Sequence, residues 1–203
     1  MADDQQINLN SIFWRDKEMS KIAVVDTETT WGDEVMSLGI VIADAKEYKP
    51  LDRRYYVFDP EYRAGGIFSN VLFRIPKAET HITTREDGLK ETDAWLEAAG
   101  VEKIFAYNGS FDKGHLPEWD GYEWYDIMRI AAYKQYNHSI PDSTECCKTG
   151  KLKRNYGVES ITRLLSGNSA YCEMHNALQD ALDELNIMRM LKREISVYEA
   201  ARI

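Results

Sequence analysis

Cysteine is scarce and badly placed for cross-linking: of the three, Cys146 and Cys147 are adjacent and Cys172 is the odd one left over. Three thiols in that arrangement make no disulfide framework, and reduced side chains are expected. Zinc is disfavoured too, since adjacent cysteines lack the usual ligand spacing. No apolar run approaches the length a bilayer demands, and Met1 to Gln6 shows no basic region leading into an apolar stretch. A non-membrane, cytoplasmic location is expected. Repeats, low-complexity tracts and interdomain linkers are also lacking. The 203 residues, 44% hydrophobic and 29% charged, suit one compact domain over 21–203 behind a polar lead-in over 1–20, anchored by Ile12, Phe13 and Trp14.

Positive charge is in short supply as well. Twenty-five Lys and Arg face 34 Asp and Glu, a formal net charge of −9. That disfavours grip on a long duplex through many phosphates. It does not exclude nucleic-acid chemistry, because bound divalent cations reverse the local sign at an acidic site. One basic cluster breaks the trend: Lys148, Lys151, Lys153 and Arg154. It reads either as a solvated loop or as a phosphate track.

What the chain does have is Asp26-Thr27-Glu28-Thr29-Thr30 directly after the apolar run Ile22-Ala23-Val24-Val25. Strand residues i and i+2 share a face, so Asp26 and Glu28 aim at one point, where their repulsion calls for a cation. Two later segments complete such a site: Tyr107-Asn108-Gly109-Ser110-Phe111-Asp112 and His175-Asn176-Ala177-Leu178-Gln179-Asp180. On an uninterrupted helix His175 and Asp180 would point about 140° apart. The helix must therefore begin between them, with Asn176 as N-cap and Gln179 three residues on. Asp180 then lies in the first turn, where the helix dipole favours a carboxylate.

Around these segments, residues 22–26, 35–43 and 53–59 read as strands of an antiparallel meander, with a turn over 44–50. Residues 103–107 and 122–125 read as short parallel strands, the second running into a helix that Asp126 caps. Helices are expected over 84–99, with Thr83 and Glu86 as a capping box, over 158–165, and over 176–200. The last buries Leu178, Leu182, Leu185, Met188 and Leu191, with Asp183 and Glu184 on a solvated face. Gly65-Gly66 marks a loop within 60–82, and 141–150 reads as an exposed loop. Trp95, Trp119 and Trp124 read as core; His81, His115 and His138 lack motif context.

Taken singly, an Asp at a strand end is commonly a turn former and an Asp in a first helical turn commonly a cap. Neither reading accounts for Glu28 or for the ordered set. The three segments resemble, in order and setting, the motifs of the DEDDh 3′-to-5′ exonucleases, the family of polymerase proofreading subunits and ribonuclease T. The resemblance covers roughly residues 20 to 192, with 35–41 similar to the family's second strand and 151–165 to the helix before its third motif. It implies an α/β ribonuclease H-like fold: a mixed central sheet, three-strand antiparallel meander plus parallel strands, flanked by helices.

It further implies that Asp26, Glu28, Asp112 and Asp180 hold two Mg²⁺ or Mn²⁺ ions and that His175 is the general base. Oxygen ligands suit those ions, and imidazole takes a proton near neutral pH. Thr29, Thr30, Trp31, Asn108 and Phe111 would meet the terminal nucleotide. Implied partners are 3′ ends of single-stranded DNA or RNA, while a homodimer or a place in a polymerase or other assembly stays open. Two departures concern pocket shape: Tyr107 where the family often has His, and Trp31 where Gly usually follows the threonines. Two other readings keep the fold: a non-catalytic interaction module, and a phosphodiesterase acting on short oligonucleotides.

Overall fold

The computed structural model describes residues 20–203; the lead-in over 1–19, with Ile12, Phe13 and Trp14, lies outside the described residues. Six strands form one mixed sheet in the order β4-β3-β2-β1-β5-β6. The apolar runs give β1 (Lys21–Thr29), β2 (Val35–Asp44) and β3 (Pro50–Phe58), an antiparallel meander. β4 (Thr80–Thr83) joins β3 in parallel, while β5 (Lys103–Ala106) and β6 (Glu123–Asp126) extend the other edge, both parallel to β1. The expected fold is the observed one.

Alternation along β1 divides the core in two. Ile22 and Val24 face the helices α4 (Val158–Ser166) and α5 (Ala177–Leu191), whereas Ala23 and Val25 face α1 (Arg85–Ala98) with Trp119 and Trp124. Two-residue periodicity then carries Asp26 and Glu28 onto the α5 side. The shorter helices α2 (Ser110–His115) and α3 (Met128–Ala131) follow β5 and β6. Asp126 accepts from the Met128 N–H at 2.9 Å, the expected cap, and also from the Asn108 N–H at 3.0 Å. One carboxylate thereby ties the ends of both parallel strands together.

Three local expectations are corrected. α1 is capped by Thr84, whose hydroxyl accepts from the Asp87 N–H at 3.1 Å, and not by Thr83. Thr83 is the last residue of β4, opposite Phe58, and its extended backbone leaves the next threonine to cap. The final helix stops at Leu191, with Lys192 in the left-handed region at φ 51°, and Ile195–Ala201 forms a 3₁₀ segment instead. That break lets buried Tyr198 pack edge-on against Phe105, centroids 5.5 Å apart. Glu184 is the third correction, described with the site.

Gly39 explains how closely α5 approaches. It pairs with Asp26 across β1 and β2, and a Cβ there would lie 2.2 Å from the Ala177 carbonyl. The first turn of α5 rests directly on bare strand backbone. Gly39→Ala is expected to push that turn away, costing about 1–3 kcal/mol or more in stability through overpacking. Thermal melts check the cost. A melting temperature equal to wild type would contradict this account of the packing.

Candidate active site

β1, α2 and α5 each deliver one part of an acidic cleft. From β1 come Asp26 and Glu28; just beyond Glu28 the β1–β2 register shifts, and the chain turns through Thr30–Glu34 into β2. The Thr30 hydroxyl is taken up by that turn, accepting from the N–H groups of Gly32 (3.1 Å) and Glu34 (3.2 Å). Trp31 projects from the turn with 72% of its surface exposed. From the first turn of α2 comes Asp112, whose Oδ1 accepts from the backbone N–H (3.0 Å) and hydroxyl (2.7 Å) of Thr27. Those two bonds join residues 85 apart in sequence and set the carboxylate beneath β1.

The third part rests on Asn176. Its Oδ1 accepts from the Gln179 N–H at the start of α5, while its Nδ2 donates to the Tyr55 hydroxyl (3.0 Å) and the Val71 carbonyl (3.2 Å). Gln179 does not return the bond as a full capping box would; its side chain donates to Asp183. His175, just ahead of the cap, takes φ 58° and stacks on Phe68 with ring centroids 4.2 Å apart. Glu28, His175 and Asp180 each offer one ligand atom, all within 4.8 Å of one another.

The cleft has a volume of about 420 Å³, and Asp26, Glu28, His175 and Asp180 line it together with Thr29 and Thr30. Exposed apolar groups form its rim: Trp31, Ile67 at 67% and Phe111 at 41% exposure. Of the residues expected at the site, Asn108 and Asp112 lie apart from this lining, Asp112 being tied to it through Thr27, which lines the cleft. Asn108 is the exposed left-handed residue, φ 62°, of the turn between β5 and α2.

Ile67, Phe68 and Glu173 also line the cleft, and the sequence carried no periodic signal for them. The Gly65-Gly66 pair was legible only as a loop. Its physical role is close approach, since a Cβ on Gly66 would fall 2.3 Å from the Thr29 carbonyl oxygen. Glu184, expected on a solvated face, is buried and accepts from the Tyr107 N–H at 3.0 Å. A clue existed: it stands one turn after Asp180 on the same side of α5. Asp183 is half-buried, held by the Tyr171 hydroxyl at 2.6 Å.

Five carboxylates thus crowd one end of the sheet. Burial, with the charges of Asp112, Glu184, Asp180 and Glu28, pushes Asp26 well above the ordinary range. Burial and Asp180 raise Glu28 to about 8, and burial with Glu173 and Asp183 raises Asp180 to about 8. Asp112, raised by burial but relieved by its Thr27 bonds, reaches about 7. Burial, then the Asp112 charge, raises Glu184 also.

Asp26 is partly exposed as a residue, yet its Oδ2 is sealed from solvent, as is Asp180 Oδ1. Neither atom has a hydrogen-bond partner among the described residues. Buried carboxylate oxygens without donors are costly unless a cation satisfies them. The donor set therefore fits hard divalent ions; among the described residues the ligand atoms that come together are those of Glu28, His175 and Asp180, and the unpartnered carboxylate oxygens are those of Asp26 and Asp180.

The pH consequence follows from linkage. A carboxyl raised in the folded state contributes stability that is full below its unfolded pKa, about 4, and is lost as pH rises through the folded value. Metal-free protein is expected to lose stability up to about pH 8, where Glu28 and Asp180 ionise. Because a metal binds the deprotonated form, the rise in melting temperature on adding Mn²⁺ should grow over the same interval. Melts with EDTA or Mn²⁺ between about pH 5 and about pH 9 test both trends. A flat EDTA curve would refute the assigned strain.

A mixed sheet with an antiparallel meander, parallel additions and an acidic cleft at the end of its central strand defines an α/β fold of the ribonuclease H-like class. No family model matches the chain, and no curated protein matches it in sequence. Solved structures do match in fold. A 3′-exonuclease recognising the 3′ end of a histone mRNA stem-loop gives a TM-score of 0.61 at 15% identity, over 86% of this chain and 64% of that one. The nuclease domain of 3′hExo, a DEDDh family member bound to rAMP, gives 0.59 at 17% identity, over 87% and 94%. E. coli Exonuclease I in complex with a 5cy-dT13 oligonucleotide gives 0.59 at 13% identity, over 89% and 42%.

This chain spans just under two thirds of the first of these proteins and less than half of Exonuclease I. It has the fold of the DEDDh-type 3′-5′ exonucleases. Among the described residues, no helix is long and apolar enough to cross a membrane.

Proposed function

We propose that this chain is a metal-dependent 3′-to-5′ exonuclease that releases nucleoside monophosphates one at a time from single-stranded DNA or RNA. The observation that carries this is convergence. Asp26 and Glu28 of β1 and His175 and Asp180 at the start of α5 line one cleft, Asp112 of α2 is tied to its lining residue Thr27, and two buried carboxylate oxygens lack a donor among the described residues.

In this reading Asp26, Glu28, Asp112 and Asp180 hold two Mg²⁺ or Mn²⁺ ions. Those ions would stabilise charge on the attacking and leaving oxygens of an in-line displacement. His175, at the cleft edge, accepts the proton of the attacking water. Water oxygen bonds to phosphorus, the bond to the 3′ oxygen breaks, and that oxygen takes a proton from solvent water to become the new 3′ hydroxyl, with the nucleoside monophosphate released. Phe68 restrains the imidazole by stacking, which suits a base that must meet one water. Trp31 and Phe111 offer faces to an unstacked terminal base. The Thr30 hydroxyl, used by its turn, shapes the cleft, while Thr29 is free to meet the nucleotide. Asn108, apart from the cleft lining, would serve the terminal nucleotide through the strand–helix turn that sets α2.

A cleft of about 420 Å³ supports a strand end as substrate, with room for about one unstacked nucleotide. The same smallness favours, as the second reading, a phosphodiesterase of short oligonucleotides. Purified protein should shorten end-labelled single-stranded DNA or RNA by single nucleotides from the 3′ end with Mn²⁺ and not with EDTA. Cleavage confined to a dinucleotide would select the second reading. No cleavage of any substrate would leave a non-catalytic module.

A further inference from the structure

On a chain of net charge −9, the loop entering α4 gathers Lys148, Lys151, Lys153 and Arg154 within seven residues. Glu145 stands 3.7 Å from Lys153 and 3.8 Å from Arg154, one exposed carboxylate shared by two cations. At such separations in water it neutralises little. The Arg154 side chain is 81% exposed, so its guanidinium is open to a ligand. The Lys151 ammonium sits 4.3 Å from the ring centroid of Tyr156, itself 39% exposed, which makes a joint cationic and aromatic surface.

Contacts connect this strip to the cleft. The Tyr107 hydroxyl donates to the Tyr156 carbonyl, and the Tyr107 N–H donates to Glu184 below the carboxylates. On the cleft wall, the Glu173 N–H donates to Glu159 in the first turn of α4, at 3.1 Å. Tyr107 and the first turn of α4 thus link the strip to the carboxylates and the cleft wall. Beside it lies a hollow of about 730 Å³ between the loop and α4, bordered by Pro141, Leu152, Arg154, Asn155 and Ser160. Cations spaced along a loop, an aromatic ring and an adjoining hollow suit a flexible single strand, whose phosphates and bases need both.

We propose that a single-stranded polynucleotide with its 3′ end in the cleft continues over Tyr156 and Lys151 and along Lys153 and Arg154. The hollow beside α4 receives an upstream base. This rests on the nuclease reading for the cleft itself. The basic strip then holds the strand while the cleft cleaves it, and its contribution grows with strand length until the track is filled.

The test uses the full chain and the triple variant Lys151→Ser/Lys153→Ser/Arg154→Ser, with binding of a labelled single-stranded 12-mer followed by anisotropy in Ca²⁺ buffer. Loss of three phosphate contacts should raise Kd about tenfold and flatten the slope of log Kd against log salt by about 2. The double variant Lys153→Ser/Arg154→Ser, at side chains more than half exposed that face only the exposed Glu145 as ion-pair partner, should flatten it by about 1.4 and guards against misfolding of the triple. KM for a dinucleotide, which ends before the track, should stay within about twofold.

An unchanged Kd and slope in both variants would overturn the proposal, as would absence of 12-mer binding by wild type. Equal competition by polyglutamate at matched ionic strength would assign the strip to an acidic protein and overturn it as well. Wild type that binds the 12-mer with the expected slope but cleaves nothing in Mn²⁺ would remove the nuclease reading and leave the track standing.

Discussion

Asp26→Asn is expected to abolish Mn²⁺-dependent cleavage and, in the same protein, to raise the metal-free melting temperature. Burial first, then the charges of Asp112, Glu184, Asp180 and Glu28, hold the Asp26 carboxyl well above its ordinary range. Its Oδ2 has no donor among the described residues. Asparagine keeps the shape and removes the charge, so the penalty of a buried, unpartnered carboxylate vanishes. A gain of about 1 kcal/mol corresponds to roughly 2–4 °C for a domain of this size. Loss of an anionic ligand should meanwhile shrink the Mn²⁺-induced rise. Parallel melts and end-label assays read both effects. Cleavage at the wild-type rate would show that the ions are held elsewhere, and a lower metal-free melting temperature would show that the carboxylate is not under strain.

His175→Ala should separate chemistry from metal binding. Its imidazole lines the cleft and stacks on Phe68, while the carboxylates hang from other anchors: Asp112 from Thr27, and Asp180 from the helix that Asn176 caps. Removing the ring should lower the cleavage rate by a factor on the order of 10² or more. The rise in melting temperature with Mn²⁺ should persist, since four carboxylates remain. Single-turnover rates and melts on one preparation check the pair. A rate within about threefold of wild type would dismiss His175 as the base, because positioned proton transfer contributes far more. Loss of the Mn²⁺ shift along with the rate would instead make His175 a metal ligand, which its proximity to Glu28 and Asp180 also allows.

The parts of the site that were legible beforehand are those built from local rules. Two-residue alternation put Asp26 and Glu28 on one face, and the side chain of Asn176 announced where α5 starts, which freed His175 from the helix. Glu184 was misread because a glutamate one turn beyond Asp180 looks like any solvated helix face. Only the approach of the Tyr107 N–H supplies a reason to bury it. Thr83 and Thr84 offered equivalent hydroxyls. Pairing of Thr83 with Phe58 in β4, a contact across 25 positions, gave the cap to its neighbour. Phe68 belongs to a stretch without periodicity, and its place against His175 depends on Gly66 touching the Thr29 carbonyl.

The amino-acid sequence by itself determined most of the strands and helices, because periodicity and capping act within a few residues. The class of fold and the five side chains proposed to carry the chemistry were implied by the resemblance of its three segments to the DEDDh motifs. Tertiary structure alone decided the depth of burial, the fifth carboxylate, the aromatic that restrains the histidine, and the bearing of the basic loop on the cleft. Those depend on which surfaces meet. Desolvation and repulsion among carboxylates arise only once segments some 60 to 150 residues apart are pressed to within a few ångströms of one another; Gly39 of β2, paired with Asp26, permits α5 to be pressed onto the sheet.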